Sequence, residues 1–126
     1  MSTQKLMRNP YATHVDYGQF LGMIAANPKF CPSNIDGIAE RKGYVLVMEW
    51  KRKGETFSNG QKFLLQGLAK LPRFQVVIIN GDTDDGINIG EFWAVLPQGS
   101  CVSAGHGVES FFDFYRRWYD WANKGV

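Results

Sequence analysis

No stretch of this sequence is apolar for long enough to cross a bilayer, and its opening residues, MSTQKLMRNP, lack the apolar run of a secretory signal. Cysteine is scarce. Cys31 and Cys101 stand far apart and at no metal-ligand spacing, so a reduced intracellular chain is the simpler reading than a disulfide-stapled one. Histidine is equally scarce, and His14 and His106 give no zinc spacing. An excess of one charge is missing too. The net charge is +2, so any surface for a polyanion must be local. Repeats and low-complexity tracts are absent. These absences exclude a disulfide scaffold, a zinc module and a membrane span, and lead to the expectation of a soluble cytoplasmic protein with no membrane partner.

What is present is ordinary globular material. At 126 residues, 44% apolar and 21% charged, the chain suits one domain spanning 1–126 with a single core. Thr13 to Ala26 reads as a helix through Val15, Phe20, Met23 and Ile24, although Gly18 and Gly22 weaken it. Asn27-Pro28 and Pro32-Ser33-Asn34 mark loop. Ile35 to Arg41 and Tyr44 to Lys51 are two strand-like runs around Lys42-Gly43, a hairpin signal. Ser58 suits the N-cap of a helix over Gly60 to Leu71, which Pro72 ends. Phe74 to Asn80 reads as a buried strand, Gly81 to Gly90 as a turn-rich loop, and Glu91 to Leu96 as another strand. Gly99 to Gly107 reads as loop, and Val108 to Asn123 as an aromatic-rich helix. The expected class is α/β.

The anomaly is Glu49 and Lys51 at the end of YVLVMEWK, an otherwise apolar run. A buried carboxylate needs a cation, donors or a metal. Residues two apart on a strand share a face. If Lys42-Gly43 is a two-residue turn, Asp36 lies opposite Glu49, and Asn34 opposite Lys51, with facing Cβ atoms roughly 5 Å apart. A four-residue turn keeps the three together, whereas a glycine bulge at Gly43 separates them. Two close carboxylates repel unless something positive sits between them. Lys51 supplies part of that, and a hard divalent cation such as magnesium, which takes oxygen ligands, would supply more. The plainer alternative is a solvated hairpin end with an ion pair worth under about 1 kcal/mol.

Asp36, then Glu49-Trp50-Lys51 closing an apolar strand, then Gly60-Gln61 opening a helix, then a second apolar strand, resembles the PD-(D/E)XK nuclease superfamily. Within it the stretch looks most like virus-type replication-repair nuclease (VRR-NUC) domains and related small phage nucleases, over about residues 33 to 81. The resemblance implies a restriction-endonuclease-like αβββαβ-type core with a mixed central sheet flanked by helices. It also implies metal-dependent cleavage of DNA with Mg2+, Mn2+ being able to substitute. Asp36 and Glu49 match the metal ligands, the Trp50 carbonyl the backbone ligand, Lys51 the catalytic lysine, and Gln61 the glutamine at the helix start. One departure stands out: many relatives add a glutamate from the first helix, and residues 1 to 35 contain none. Asp16, with Gln19 one turn later, is the possible accessory pair there; its plainer role is with the helix dipole.

Arg52, Lys53 and Lys62 flank these positions and are the expected DNA phosphate contacts; an ordinary solvated surface explains them equally. Arg116, Arg117 and Lys124, with Trp118, Tyr119 or Trp121, offer a second such surface, although core packing accounts for most of that helix. Asp82-Thr83-Asp84-Asp85-Gly86 has acids at the wrong offsets for a calcium loop and reads as a turn. Cys101 and His106 lack a third partner for thiol catalysis. The expectation is a structure-selective, Mg2+-dependent DNA endonuclease acting on junctions, flaps or nicks, for which a homodimer would suit cutting both strands. The alternative is a catalytically inactive DNA- or protein-binding module of the same fold. A third reading is a protein-interaction domain using the aromatic tail.

Overall fold

A strand as apolar as Tyr44–Lys51 needs cover on both faces, and the architecture supplies it with a helix on each. The computed structural model of the protein describes residues 16–57 and 59–124. It contains β1 Gly37–Arg41, β2 Tyr44–Lys51, α1 Asn59–Ala69, β3 Phe74–Asp82, β4 Asn88–Val95, β5 Cys101–His106 and α2 Val108–Asn123. The chain divides into two units, 1–33 and 34–126. The expected Ser58 cap lies outside the described residues, as do Thr13, His14 and Val15.

In the first unit, the helix expected up to Ala26 is not formed over the described residues 16–26. A single 3-10 turn, Gly18–Phe20, stands in its place. Leu21 leaves it in an extended conformation, and Gly22 takes a positive φ of 82°. Phe20, Leu21, Met23 and Ile24 are all exposed. The helical spacing of these side chains therefore has no core to serve, and two glycines remove the intrinsic preference that might replace it.

The second unit is an α/β domain built on a five-stranded mixed sheet in the order β1-β2-β3-β4-β5. β1 and β2 form an antiparallel hairpin, with Arg41 facing Tyr44 and Gly37 facing Met48. The turn is the expected two-residue one. Lys42 and Gly43 have φ of 52° and 86°, the pair of positive values that matches the strands' right-handed twist. The Gly43 N–H donates to Glu40 Oε2 at 2.8 Å. β2 pairs with β3 in parallel, so α1 is the crossover between them. β4 and β5 then add antiparallel.

Two cores lie on opposite faces of this sheet. Leu46, Val77, Ile79 and Phe92 pack with Phe111, Trp118 and Ala122 of α2. Val47, Val76, Ile78 and Val95 pack with Leu65 and Ala69 of α1. Residues of β2 with even numbers thus face α2 and those with odd numbers face α1.

Several boundaries differ from expectation: β1 begins at Gly37 rather than Ile35, α1 spans Asn59–Ala69 rather than Gly60 to Leu71, β3 runs on to Asp82, and β4 spans Asn88–Val95 rather than Glu91 to Leu96. Cys101–His106 is a strand rather than part of a loop, because β4 offers a hydrogen-bonding edge that CVSAGH can accept without contributing buried apolar side chains. Gly105, at φ 154°, lies flat against the Phe92 ring, where an added Cβ would approach Cζ to 2.6 Å. Among the described residues two strands, not three, precede α1, and a β4–β5 hairpin follows β3. No helix among the described residues is long and apolar enough to cross a membrane.

Candidate active site

Glu49 and Lys51 lie on the α1 face at the carboxyl end of β2. Parallel pairing continues through Glu49↔Ile78 to Lys51↔Asn80. Carboxyl ends of parallel strands are where α/β sheets hold ligands, because the helix N-termini and connecting loops gather there. Asp36 sits one residue before β1, in the hairpin register that faces Glu49. The two-residue turn, with no bulge at Gly43, therefore brings Asp36 against Glu49.

The side chains form a connected chain. The Trp50 N–H donates to Asp36 Oδ2 at 2.8 Å, and the Asp36 N–H donates to Glu49 Oε1 at 3.4 Å. Gln61 Nε2 donates to Glu49 Oε2 at 3.1 Å, and Lys51 Nζ donates to Gln61 Oε1 at 3.0 Å. Gln61, in the first turn of α1, thus joins the lysine to the buried carboxylate. Lys51 Nζ also lies 4.6 Å from the centroid of the Phe57 ring, a cation–π distance. Asn80 Nδ2 donates to the Lys51 carbonyl at 3.1 Å and fixes the strand end.

Glu49 is the buried charged residue of the described structure, 5% exposed. Its pKa is pushed from 4.5 up to about 7, first by burial and then by repulsion from Asp36; the attraction of Lys51 opposes this and is outweighed. A carboxyl held near neutrality beside a second carboxylate is a common signature of a functional site.

These donors fit a hard divalent cation. Asp36 and Glu49 supply carboxylate oxygens with lone pairs beyond those accepting the hydrogen bonds above. The Trp50 carbonyl shares a strand edge with its own N–H, which is turned to Asp36, and lies past the last β1–β2 pair. Among the described residues no three His, Cys, Asp or Glu side chains converge, so the carboxylates at this spot number two.

The other anticipated residues divide. Lys53 and Lys62 are exposed. The Arg52 guanidinium is taken up by Asp84, which both its terminal nitrogens contact, one at 2.7 Å from Oδ1; that carboxylate pushes the arginine pKa up. Asp84 belongs to the turn after β3, and its role as Arg52's partner has no local signal in the sequence. Asp16 and Gln19 belong to the first unit, where Asp16 Oδ1 accepts the Gly18 N–H at 2.9 Å. On α2, Trp118 is buried while Tyr115, Tyr119 and Trp121 are exposed, and Arg117 pairs with Asp113 at 2.9 Å.

Sequence reasoning missed Asn80, Phe57 and Trp93, which line a cleft of about 300 Å3 beside Lys51. Asn80 had a signal, since it is the first polar residue after the apolar run VVII. Compared with family profiles, curated proteins and solved structures, the chain matches none.

Proposed function

We propose that this chain is a divalent-metal-dependent nuclease that hydrolyses DNA phosphodiester bonds and selects its substrate by structure rather than sequence. The observation that carries this reading is the buried Glu49 carboxyl, raised to about 7 beside Asp36 and linked through Gln61 to Lys51. A structural role alone gives no reason for burying a carboxyl next to another, because the arrangement costs stability until a cation joins it. The hairpin, α1 and parallel β3 also agree with the part of a PD-(D/E)XK core that the sequence resembles, although two strands rather than three precede α1 among the described residues.

In this reading Asp36, Glu49 and the Trp50 carbonyl hold Mg2+ or Mn2+. When bound, the ion lowers the pKa of a coordinated water and polarises the phosphodiester. Lys51 places its ammonium against the phosphate, where charge builds as the bond to the leaving oxygen breaks. Gln61 is a positioning residue: its amide holds the ammonium and the Glu49 carboxylate in fixed relation. Lys53 and Lys62 contribute local positive charge to a chain whose net charge is only +2.

The test is cleavage of plasmid, flap and junction DNA by the full chain with Mg2+ or Mn2+. Glu49→Gln and Lys51→Ala should abolish cutting while leaving the circular dichroism spectrum intact. Cutting that survives in folded variants, or in excess chelator, overturns the mechanism. The two-carboxylate count favours one other reading, a binding module without turnover. That module would bind DNA equally with and without the metal and cut none of these substrates.

A further inference from the structure

Lys51 stands between two different environments on the α1 face. On the β1 side are the Asp36 and Glu49 carboxylates. On the β3–β4 side is the cleft of about 300 Å3, with Ile78 and Trp93 among its floor residues, Phe57 and Asn80 beside Lys51, and Cys101 at the start of β5. The register places these groups together: Glu49 faces Ile78, Ile78 faces Trp93, and Lys51 faces Asn80. A second cavity of about 210 Å3 shares Phe57, Ile78 and Cys101 with the first and is also lined by Lys62. The two therefore adjoin along a groove lined by aromatic and apolar residues, with Lys51 lining one part and Lys62 the other.

We propose that this groove takes an unpaired nucleobase of the strand whose phosphate lies at Lys51, so that the substrate is DNA single-stranded at the point of cleavage. The inference rests on the nuclease reading and adds the substrate class to it. Trp93 and Phe57 line the cleft with aromatic surface, which every base can stack on, and the Phe57 ring also carries the Lys51 ammonium at 4.6 Å. Asn80 adds a polar amide beside them. Lys51 and Lys62 complement the phosphates on the two sides of the inserted nucleotide. Glu55, the acid lining the cleft, is turned to the backbone, where its Oε1 accepts the Arg52 N–H at 2.6 Å. A base held in a duplex has both faces stacked and its edge paired, so it cannot enter a cleft on a sheet face without being extruded, which costs a few kcal/mol.

Cys101 gives a readout independent of cleavage, because it is exposed and lines both cavities. The rate of Cys101 alkylation by a maleimide is followed in the Glu49→Gln chain without metal. The probes are oligothymidylate, an abasic oligomer with the same phosphates, and a blunt duplex. Oligothymidylate should slow labelling at least fivefold, and the other two should leave it nearly unchanged. Cys101→Phe, which fills the groove from an exposed strand position, should weaken oligothymidylate binding about tenfold, the size of one lost stacked base, while abasic and duplex binding stay the same. Equal protection by the abasic oligomer, or unchanged oligothymidylate affinity in folded Cys101→Phe, overturns the base pocket but leaves the nuclease reading standing if the wild-type chain still cuts. Absence of both binding and cutting for every probe overturns both.

Discussion

Glu49→Gln tests the electrostatics of the site without any substrate. In the folded chain the Glu49 carboxyl titrates at about 7, against 4.5 for the ordinary group. Folded protein therefore binds this proton more tightly than unfolded protein does. The contribution of Glu49 to stability is fully present below pH 4.5, declines as the pH rises, and is lost above about 7. A span of roughly 2.5 pH units at about 1.4 kcal/mol each is on the order of 3 kcal/mol. That is a sizeable share of the stability of a small domain. The assay is urea unfolding of the metal-free chain between pH 4.5 and 8.5, with Glu49→Gln measured alongside. The amide keeps the shape and removes the titration, so the difference between the curves isolates this carboxyl from all other groups. The wild type should lose about 3 kcal/mol relative to the variant across that range, and the variant should be the more stable protein at pH 8. Parallel curves would refute the claim that burial and Asp36 hold the proton on Glu49.

Further outcomes follow from the same geometry. Mg2+ at ten times its dissociation constant should stabilise the wild type at pH 8 by about 1.4 kcal/mol, with the effect fading below pH 7 as Glu49 takes up its proton and absent in Asp36→Asn; calorimetry reads this directly. Gln61→Ala cuts the link between Lys51 and Glu49, and should lower kcat about 10- to 100-fold with metal affinity changed far less. Gly81→Ala should destabilise by more than about 2 kcal/mol, since an added Cβ would run into the Asn88 backbone carbonyl at the irregularity between β3 and β4; chemical denaturation measures it. Trp118→Phe should change stability by less than about 1 kcal/mol, because the lost packing is offset by removing an indole N–H buried with no acceptor among the described residues.

Local chemistry was legible in the sequence where it sets geometry on its own. Lys42-Gly43 admits a two-residue turn, and that turn alone places Asp36 opposite Glu49. The final helix runs from Val108 to Asn123 as expected, and α1 ends two residues short of the expected Leu71. Features that depend on distant partners were not legible. Asn80 meets Lys51 only because β2 and β3 pair in parallel, and Arg52 meets Asp84 across 32 residues of chain. Cys101–His106 carries small residues and glycine, so nothing in its pattern marks it as a strand; the edge of β4 makes it one. The helix expected before Ala26 failed for the opposite reason, since its apolar spacing is real but unburied. The family resemblance supplied Gln61, whose place between Lys51 and Glu49 became visible only with α1 docked on the sheet.

The parallel pairing of β2 with β3 also sets an order of assembly. The Asp36–Glu49 contact closes a loop of 13 residues through a tight turn, a step that hairpins complete in about 1–10 μs. The bond from Asn80 to Lys51 spans 29 residues and waits for the crossover helix, and Trp93 joins only after β4 has added. During synthesis, a chain that has reached the end of β2 can already bring its two carboxylates together with nothing yet opposite them. Repulsion between them then opposes hairpin closure at neutral pH, and divalent cation or mild acid should speed the earliest folding phase while leaving later ones untouched.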